Sequence, residues 1–168
     1  MRHTRKQHIR AAGVAFVSPT HILAAYQPHK TVPFISGIGG SREAGESLLE
    51  CAMREMSEEL FGLTTLNTIA LGEPLACIHK HGYAMFLYKF DDLERLLRSM
   101  RQRRVRSPYY DGIPVTICDL VLRRRIVQDA ELSHLSILPL IPNHPAGAPF
   151  VVPYFVEDMA TIAAHLSV

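Results

Sequence analysis

Between Ser47 and Leu60 the chain commits to a helix with one acid-crowded edge. Leu49, Ala52, Met53, Met56 and Leu60 recur at three- and four-residue steps, the spacing of one apolar helical face, and Gly62 stands beyond as a C-terminal cap. At about 100° of rotation per residue, Glu55, Glu58 and Glu59 fall within a sector of roughly 100° beside that face. Like charges at these spacings cost an isolated helix roughly a few tenths of a kcal/mol per pair, so selection for stability does not explain them. Carboxylate oxygens are the ligands that hard divalent cations choose, and Mg2+ in particular binds through a few carboxylates plus substrate phosphates. With the glycine-rich turn Gly39-Gly40 leading into the helix, a metal and phosphate site is the natural inference.

The rest of the chain reads as one domain, 1–168, because 168 residues at 48% apolar content suffice for one core. Ala12 to Val17, Ile22 to Tyr26 and Thr31 to Ile35 are short β-branched or aromatic runs broken by Pro19 and Pro28, hence strands. Leu75 to His79 and Tyr83 to Phe90 form a hairpin about Gly82. Asp92 to Arg104 returns to helical spacing, and Pro114 to Arg125 suits helix or strand, with helix preferred. Leu135 to Ile141 reads as a strand, Pro142 to Pro149 as a loop and Val156 to Leu166 as a closing helix. The basic start, Met1 to Arg10, resembles a signal peptide superficially, but its apolar run stops at Val17 and no stretch is long enough for a membrane span. Cys51, Cys77 and Cys118 have no metal-ligand spacing and read as packing residues, so a reducing, cytoplasmic or other intracellular compartment is expected.

Gly40, five residues, Glu46, seven residues, then Arg54-Glu55-Met56-Ser57-Glu58-Glu59 resembles the Nudix box, with Gly39 matching as well. Six identities at fixed spacing arise by chance in such a chain on the order of once in a hundred thousand. The resemblance covers some 24 residues, from Gly40 to Leu63, with Gly39 just ahead of them. It implies an α/β fold, the Nudix α/β/α sandwich around a mixed sheet, with 91–125 as a basic helical insertion. It implies a hydrolase using Mg2+ or Mn2+ to cut the pyrophosphate bond of a nucleoside diphosphate derivative. On the matching positions, Glu55, Glu58 and Glu59 would coordinate metal together with the Gly39 carbonyl. Arg54 would orient a box glutamate and Glu46 would brace the junction of loop and helix. The box departs from the family pattern twice. Both Leu60 and Phe61 precede Gly62 where one residue is usual, which implies a helix one residue longer, and Ile38 stands where many members have proline.

The general base in this family is a box glutamate, here Glu58 or Glu59, or an acid from a distant loop. Glu131, ahead of the strand at Leu135, is the loop candidate, with Asp129 and Glu73 as weaker alternatives. Between Arg95 and Arg125 nine cations face two acids, a net +7, which leaves nine against fourteen, or −5, for the rest. A basic stripe tracks phosphate backbones, so Arg101, Arg103, Arg104 and Arg106 are candidate RNA contacts, with Tyr109 and Tyr110 as stacking surface. That makes capped RNA a candidate substrate beside free nucleotides, ADP-ribose-like sugars and dinucleoside polyphosphates. The ordinary alternative is a solvated helix face. His79 and His81 read as surface and turn residues, and Phe34 and Tyr83 as core. The competing function is a degenerate Nudix module that binds nucleotide or RNA without cleaving it.

Overall fold

Strands β1 (Ala11–Val17) and β2 (His21–Gln27) are buried on both faces, and this sets the layers. Val14, Phe16, Leu23 and Ala25 point into one core cluster, while their neighbours Ala15, Val17, Ile22 and Ala24 point into the other. A strand covered twice needs apolar residues at consecutive positions, and that is why these segments read as unbroken runs. The computed structural model describes residues 9–140 and 151–167. Within them the sheet is completed by β3 (Phe34–Ser36), β4 (Ile38–Ser41), β5 (Ala76–Lys80), β6 (Tyr83–Lys89) and β7 (His134–Pro139). Helices α1 (Leu48–Phe61), α2 (Phe90–Gln102) and α3 (Ile117–Leu122) cover one face and α4 (Pro153–Leu166) the other. The result is an α/β/α sandwich.

The sheet is mixed. β1 runs parallel to β6 from Ala11 opposite Tyr83 to Val17 opposite Lys89, and the other pairings are antiparallel. On its other side β1 holds β4, with Gly13 opposite Gly39. β7 lies along β2, from His21 opposite Pro139 to Tyr26 opposite His134. The β5–β6 hairpin closes at His81 and Gly82, both at positive φ.

Helix α1 has the signals the sequence gives it. The Ser47 hydroxyl accepts from the Glu50 N–H while the Glu50 carboxylate accepts from the Ser47 N–H, a reciprocal cap. It ends at Gly62, left-handed at φ 66°, whose N–H donates to the Glu58 carbonyl. Helix α2 starts at Phe90, where Asp92 accepts from the Lys89 N–H, and buries Leu93, Leu96, Leu97 and Met100.

Several expectations shift. Gly39 and Gly40 belong to a strand rather than a turn, because glycine lets β4 lie close against β1; a Cβ on Gly39 would sit 2.5 Å from the Gly13 Cα. The third strand is Phe34–Ser36, since Pro33 has no N–H to give a ladder and Val32 is exposed. Pro114 does not open α3; Thr116 does, its hydroxyl accepting from the Asp119 N–H. A 3-10 turn at Ile69–Leu71 has no periodic signature. Cys51 is buried, but Cys77 and Cys118 are exposed, since the strand and helix faces they occupy are not covered. The loop expected at Pro142 to Pro149 and most of the basic start lie outside the described residues, as does Ile141. No helix among the described residues is long and apolar enough to cross a membrane.

Candidate functional site

The box folds around Arg54. Its Nε donates to Glu46 Oε1 at 2.6 Å, one terminal nitrogen donates to Glu55 Oε1 at 2.8 Å and Glu58 Oε2 at 3.2 Å, and the other reaches the Ser41 carbonyl at 2.9 Å and Glu46 Oε2 at 3.2 Å. One side chain thereby ties the end of β4, the following loop and two carboxylates of α1 together. Glu46 also accepts from the Glu43 N–H, within the loop ahead of α1, and Arg54 holds its carboxyl below the usual range. Only a planar, multidentate cation can serve so many acceptors at once.

Glu59 faces inward and is 3% exposed. Its Oε2 accepts the Gly39 N–H at 2.8 Å, while Oε1 is buried with no hydrogen-bond partner. Burial raises its pKa well above the ordinary value, and Glu131 and Glu55 push it further against the Gly39 bond and Lys30. Burial likewise raises Glu55, more than Arg54 lowers it, with Glu58 and Glu131 adding to the rise. Gly40 is a close approach: a Cβ there would meet the Glu55 carboxyl at about 2.5 Å.

Of these groups Gly39, Gly40 and Glu55 line a cleft of about 630 Å3, while Glu58 and Glu59 are not among its lining residues. Gly39, Gly40, Glu55, Glu131 and Lys30 belong to it, together with Phe34, Ser36, Lys80, Tyr83, Tyr154 and Asp158. Glu131 comes from a distant segment, fixed where Leu132 is buried, its carbonyl accepts from Arg124, and the Ser133 N–H donates to the Tyr26 carbonyl. Asp129 lines an adjoining recess with Gln27, His29 and Lys30. Glu73 lies outside the cleft, its charge acting on Tyr88.

Tyr83 packs against the core as expected and also lines the cleft, whereas Phe34, expected in the core, lines the cleft without packing into either core cluster. Tyr83 donates to the Ile38 carbonyl at 3.3 Å, and Phe34 meets Tyr154 edge-on at 6.4 Å. His79 is exposed on β5, and His81 is exposed in the turn, lining the cleft. Lys80 pairs with Glu157 at 3.2 Å and Asp158 at 3.8 Å; burial raises the Asp158 pKa despite Lys80. No spacing in the sequence marks Lys30, Asp158 or Tyr154, because they converge only through the sheet.

Among the described residues no three acidic, His or Cys side chains form a ready-made metal cage. Arg54 engages Glu55 and Glu58, while Glu59 accepts from the Gly39 amide. The donor set nevertheless suits a hard cation. Carboxylate oxygens predominate, one is buried and unpartnered, and burial together with neighbouring acids raises the pKa of Glu55 and Glu59, a cost that a divalent cation would offset.

The arginine stripe divides. Arg124 donates to the carbonyls of Glu59 and Leu60 and to that of Leu132, and its guanidinium lies 4.2 Å from the centre of the Tyr109 ring. It thereby supplies the cation that the last turn of α1 lacks. Tyr110 is buried and donates to the Leu120 carbonyl, so neither tyrosine offers the free stacking surface expected of it. The extra box residue, Phe61, is wholly buried and packs against Tyr110, while its carbonyl accepts from Ser107. The longer helix is therefore matched to segment 103–125. Arg101, Arg103, Arg104 and Arg106 are exposed.

No family model and no curated protein matches the chain. Similar solved structures include the E. coli ORF135 protein, 18% identical over 96% of this chain and 93% of that one with a TM-score of 0.46. A NUDIX hydrolase from Nitrosomonas europaea is 15% identical over 94% and 88%, with a TM-score of 0.47. A NUDIX family hydrolase from Clostridium perfringens is 19% identical over 95% and 97%, with a TM-score of 0.43. These likenesses are loose, and the weight rests on the chain's own residues. With Glu46, Arg54, Glu55, Glu58 and Glu59 set on a loop and helix against a mixed sheet, the chain resembles the Nudix hydrolases in its box and in its α/β/α architecture.

Proposed function

We propose that this chain is a Mg2+- or Mn2+-dependent hydrolase of the Nudix type, cutting the pyrophosphate bond of a nucleoside diphosphate derivative. The observation that carries the reading is the buried, unpartnered Oε1 of Glu59, one turn along α1 from Glu55, which with Glu131, Lys30, Phe34, Tyr83 and Tyr154 lines the cleft. Glu55, Glu58 and Glu59, with the Gly39 carbonyl, would hold the metal. When bound, the cation offsets the charge of the pyrophosphate and makes water more acidic at neutral pH. Arg54 keeps Glu55 and Glu58 oriented, and Glu46 keeps Arg54 in place. Glu131 takes the proton of the attacking water, with Glu58 or Glu59 as the alternative base. Lys30, at the cleft mouth, meets substrate phosphate, and the organic group lies against Phe34, Tyr83 and Tyr154.

Among such substrates the exposed arginines favour capped RNA, as a decapping activity. Capped RNA, the free cap dinucleotide, ADP-ribose and nucleoside triphosphates are to be compared side by side with either metal. Charge reversal at Arg101, Arg103, Arg104 and Arg106 is expected to depress cleavage of long capped RNA and spare the dinucleotide. Equal rates on both, before and after the change, would return the substrate to a free nucleotide.

One observation favours a binding module: Arg54 already neutralises two of the metal-binding carboxylates. No turnover of any of these compounds with either metal would make that the better account.

A further inference from the structure

Four arginines of the basic segment are already engaged: Arg95 by Asp92, Arg98 by Glu94, Arg125 by Asp111, and Arg124 by backbone carbonyls. Arg101, Arg103, Arg104, Arg106 and Arg123 are exposed and have no ion pair among the described residues. Three of them, Arg101, Arg104 and Arg123, line one small cleft of about 200 Å3 with Val105, Gly112 and Ile113. No acid lines it, and it shares no lining residue with the carboxylate cleft. Three uncompensated guanidinium groups around one depression repel each other and favour an anion between them.

The backbone at Arg104 points the same way independently. The Arg104 N–H donates to the Arg101 carbonyl and the Val105 N–H to the Met100 carbonyl, each at 3.0 Å. These are the paired bonds of a Schellman ending, in which the left-handed residue is usually glycine. Here it is Arg104, at φ 55°. A helix dipole accounts for cations near the ends of α2 and α3, but not for a side chain at the one position where glycine would be less strained.

We propose that Arg101, Arg104 and Arg123 form a binding site for a phosphate group, separate from the carboxylate cleft and independent of the hydrolase reading. The guanidinium forks match phosphate oxygens in pairs, and the buried Ile113 in the floor of the cleft leaves fewer competing waters. The ligand is either a phosphodiester of a single-stranded RNA or a free phosphate chain, which share this chemistry.

The test uses the full chain in chelator with two probes, inorganic tripolyphosphate by calorimetry and a labelled single-stranded oligoribonucleotide by anisotropy. Arg104→Gly is expected to raise the melting temperature, because glycine suits the left-handed position. It is also expected to weaken binding of at least one probe by about tenfold or more, through loss of a charge-assisted contact. Arg98→Gln loses the same charge on α2 outside the cleft, at a residue paired with Glu94, and should weaken binding by no more than about twofold, the share of screened long-range attraction. Weakening with both probes assigns the site to RNA and phosphate chains alike, and weakening with one assigns it to that source. No binding of either probe by the parent protein overturns the proposal. So does equal weakening by the two variants, or a lower melting temperature for Arg104→Gly.

Discussion

Replacing Glu59 by glutamine should stabilise the metal-free protein while crippling it. The parent carboxylate is 3% exposed, has one donor in the Gly39 N–H, and leaves Oε1 unpartnered. Burial, Glu131 and Glu55 all disfavour its charge. Glutamine keeps an oxygen for the Gly39 amide and has no charge to desolvate. A buried polar atom without a partner costs about 1–3 kcal/mol and more when charged; the glutamine Nε2 retains the neutral cost, so the gain is the excess due to the charge, also about 1–3 kcal/mol. For a chain of this size each kcal/mol is about 2–4 °C of melting temperature, so Glu59→Gln should melt roughly 2–12 °C higher in chelator. The sign with pH follows from the raised pKa. The folded protein holds a proton on Glu59 that the unfolded chain releases, so the parent's stability is recovered at mildly acid pH and lost as pH rises through the folded value. The gap between variant and parent should therefore widen from pH 5 to pH 8. Excess Mn2+ should reverse the order, since ligand at about a hundred times its Kd adds about 2.7 kcal/mol to the form that binds it. Turnover should fall by about a hundredfold or more, about 3 kcal/mol of transition-state stabilisation. Thermal melts over this pH range, with and without Mn2+, and initial rates measure all of it. A Glu59→Gln protein that melts lower in chelator, or gains as much as the parent from Mn2+, would refute the reasoning.

Arg54→Ala should cost about 3 kcal/mol in urea denaturation, because it strands Glu46, Glu55 and Glu58 beside one another, and a divalent cation should recover part of the loss; a neutral result would mean that the bonds around Arg54 do not hold the loop. Gly62→Ala should destabilise by about 1–2 kcal/mol or more, since φ is 66° and the new Cβ would lie 2.6 Å from Pro108 Cγ; an unchanged melt would show that segment 103–125 yields freely. Glu131→Gln should lower kcat by about a hundredfold with the melting temperature unchanged or raised, because the residue is exposed and its charge opposes Glu55 and Glu59; a full rate would return the base to the box.

The helix and its chemistry were legible because they are local. Ser47, Glu50 and Gly62 mark the ends of α1 by short-range backbone bonds, and the box spacing puts Glu46 within reach of Arg54. The two-sided burial of β1 and β2 shows as continuous apolar runs, enough to imply a covered sheet. The arginines were less legible. Charge counting treats Arg95, Arg101 and Arg124 alike, whereas one binds carbonyls of the 3-10 turn, one borders a small cleft and one holds the end of α1.

What the sequence by itself determined is whatever depends on neighbours a few residues apart: the acidic helix, its caps, the strand periods and the set of acids available to a cation. What only the tertiary structure decided is which distant groups face that helix. The charge of Glu131 acts on Glu59 because β7 pairs with β2, and the Gly39 N–H reaches Glu59 because β4 pairs with β1 at the glycines. Tyr83, Tyr154 and Asp158 meet across the same cleft from β6 and α4. The physical reason is that burial, and with it the pKa of a carboxylate, depends on everything packed around the group, and no spacing along the chain records it.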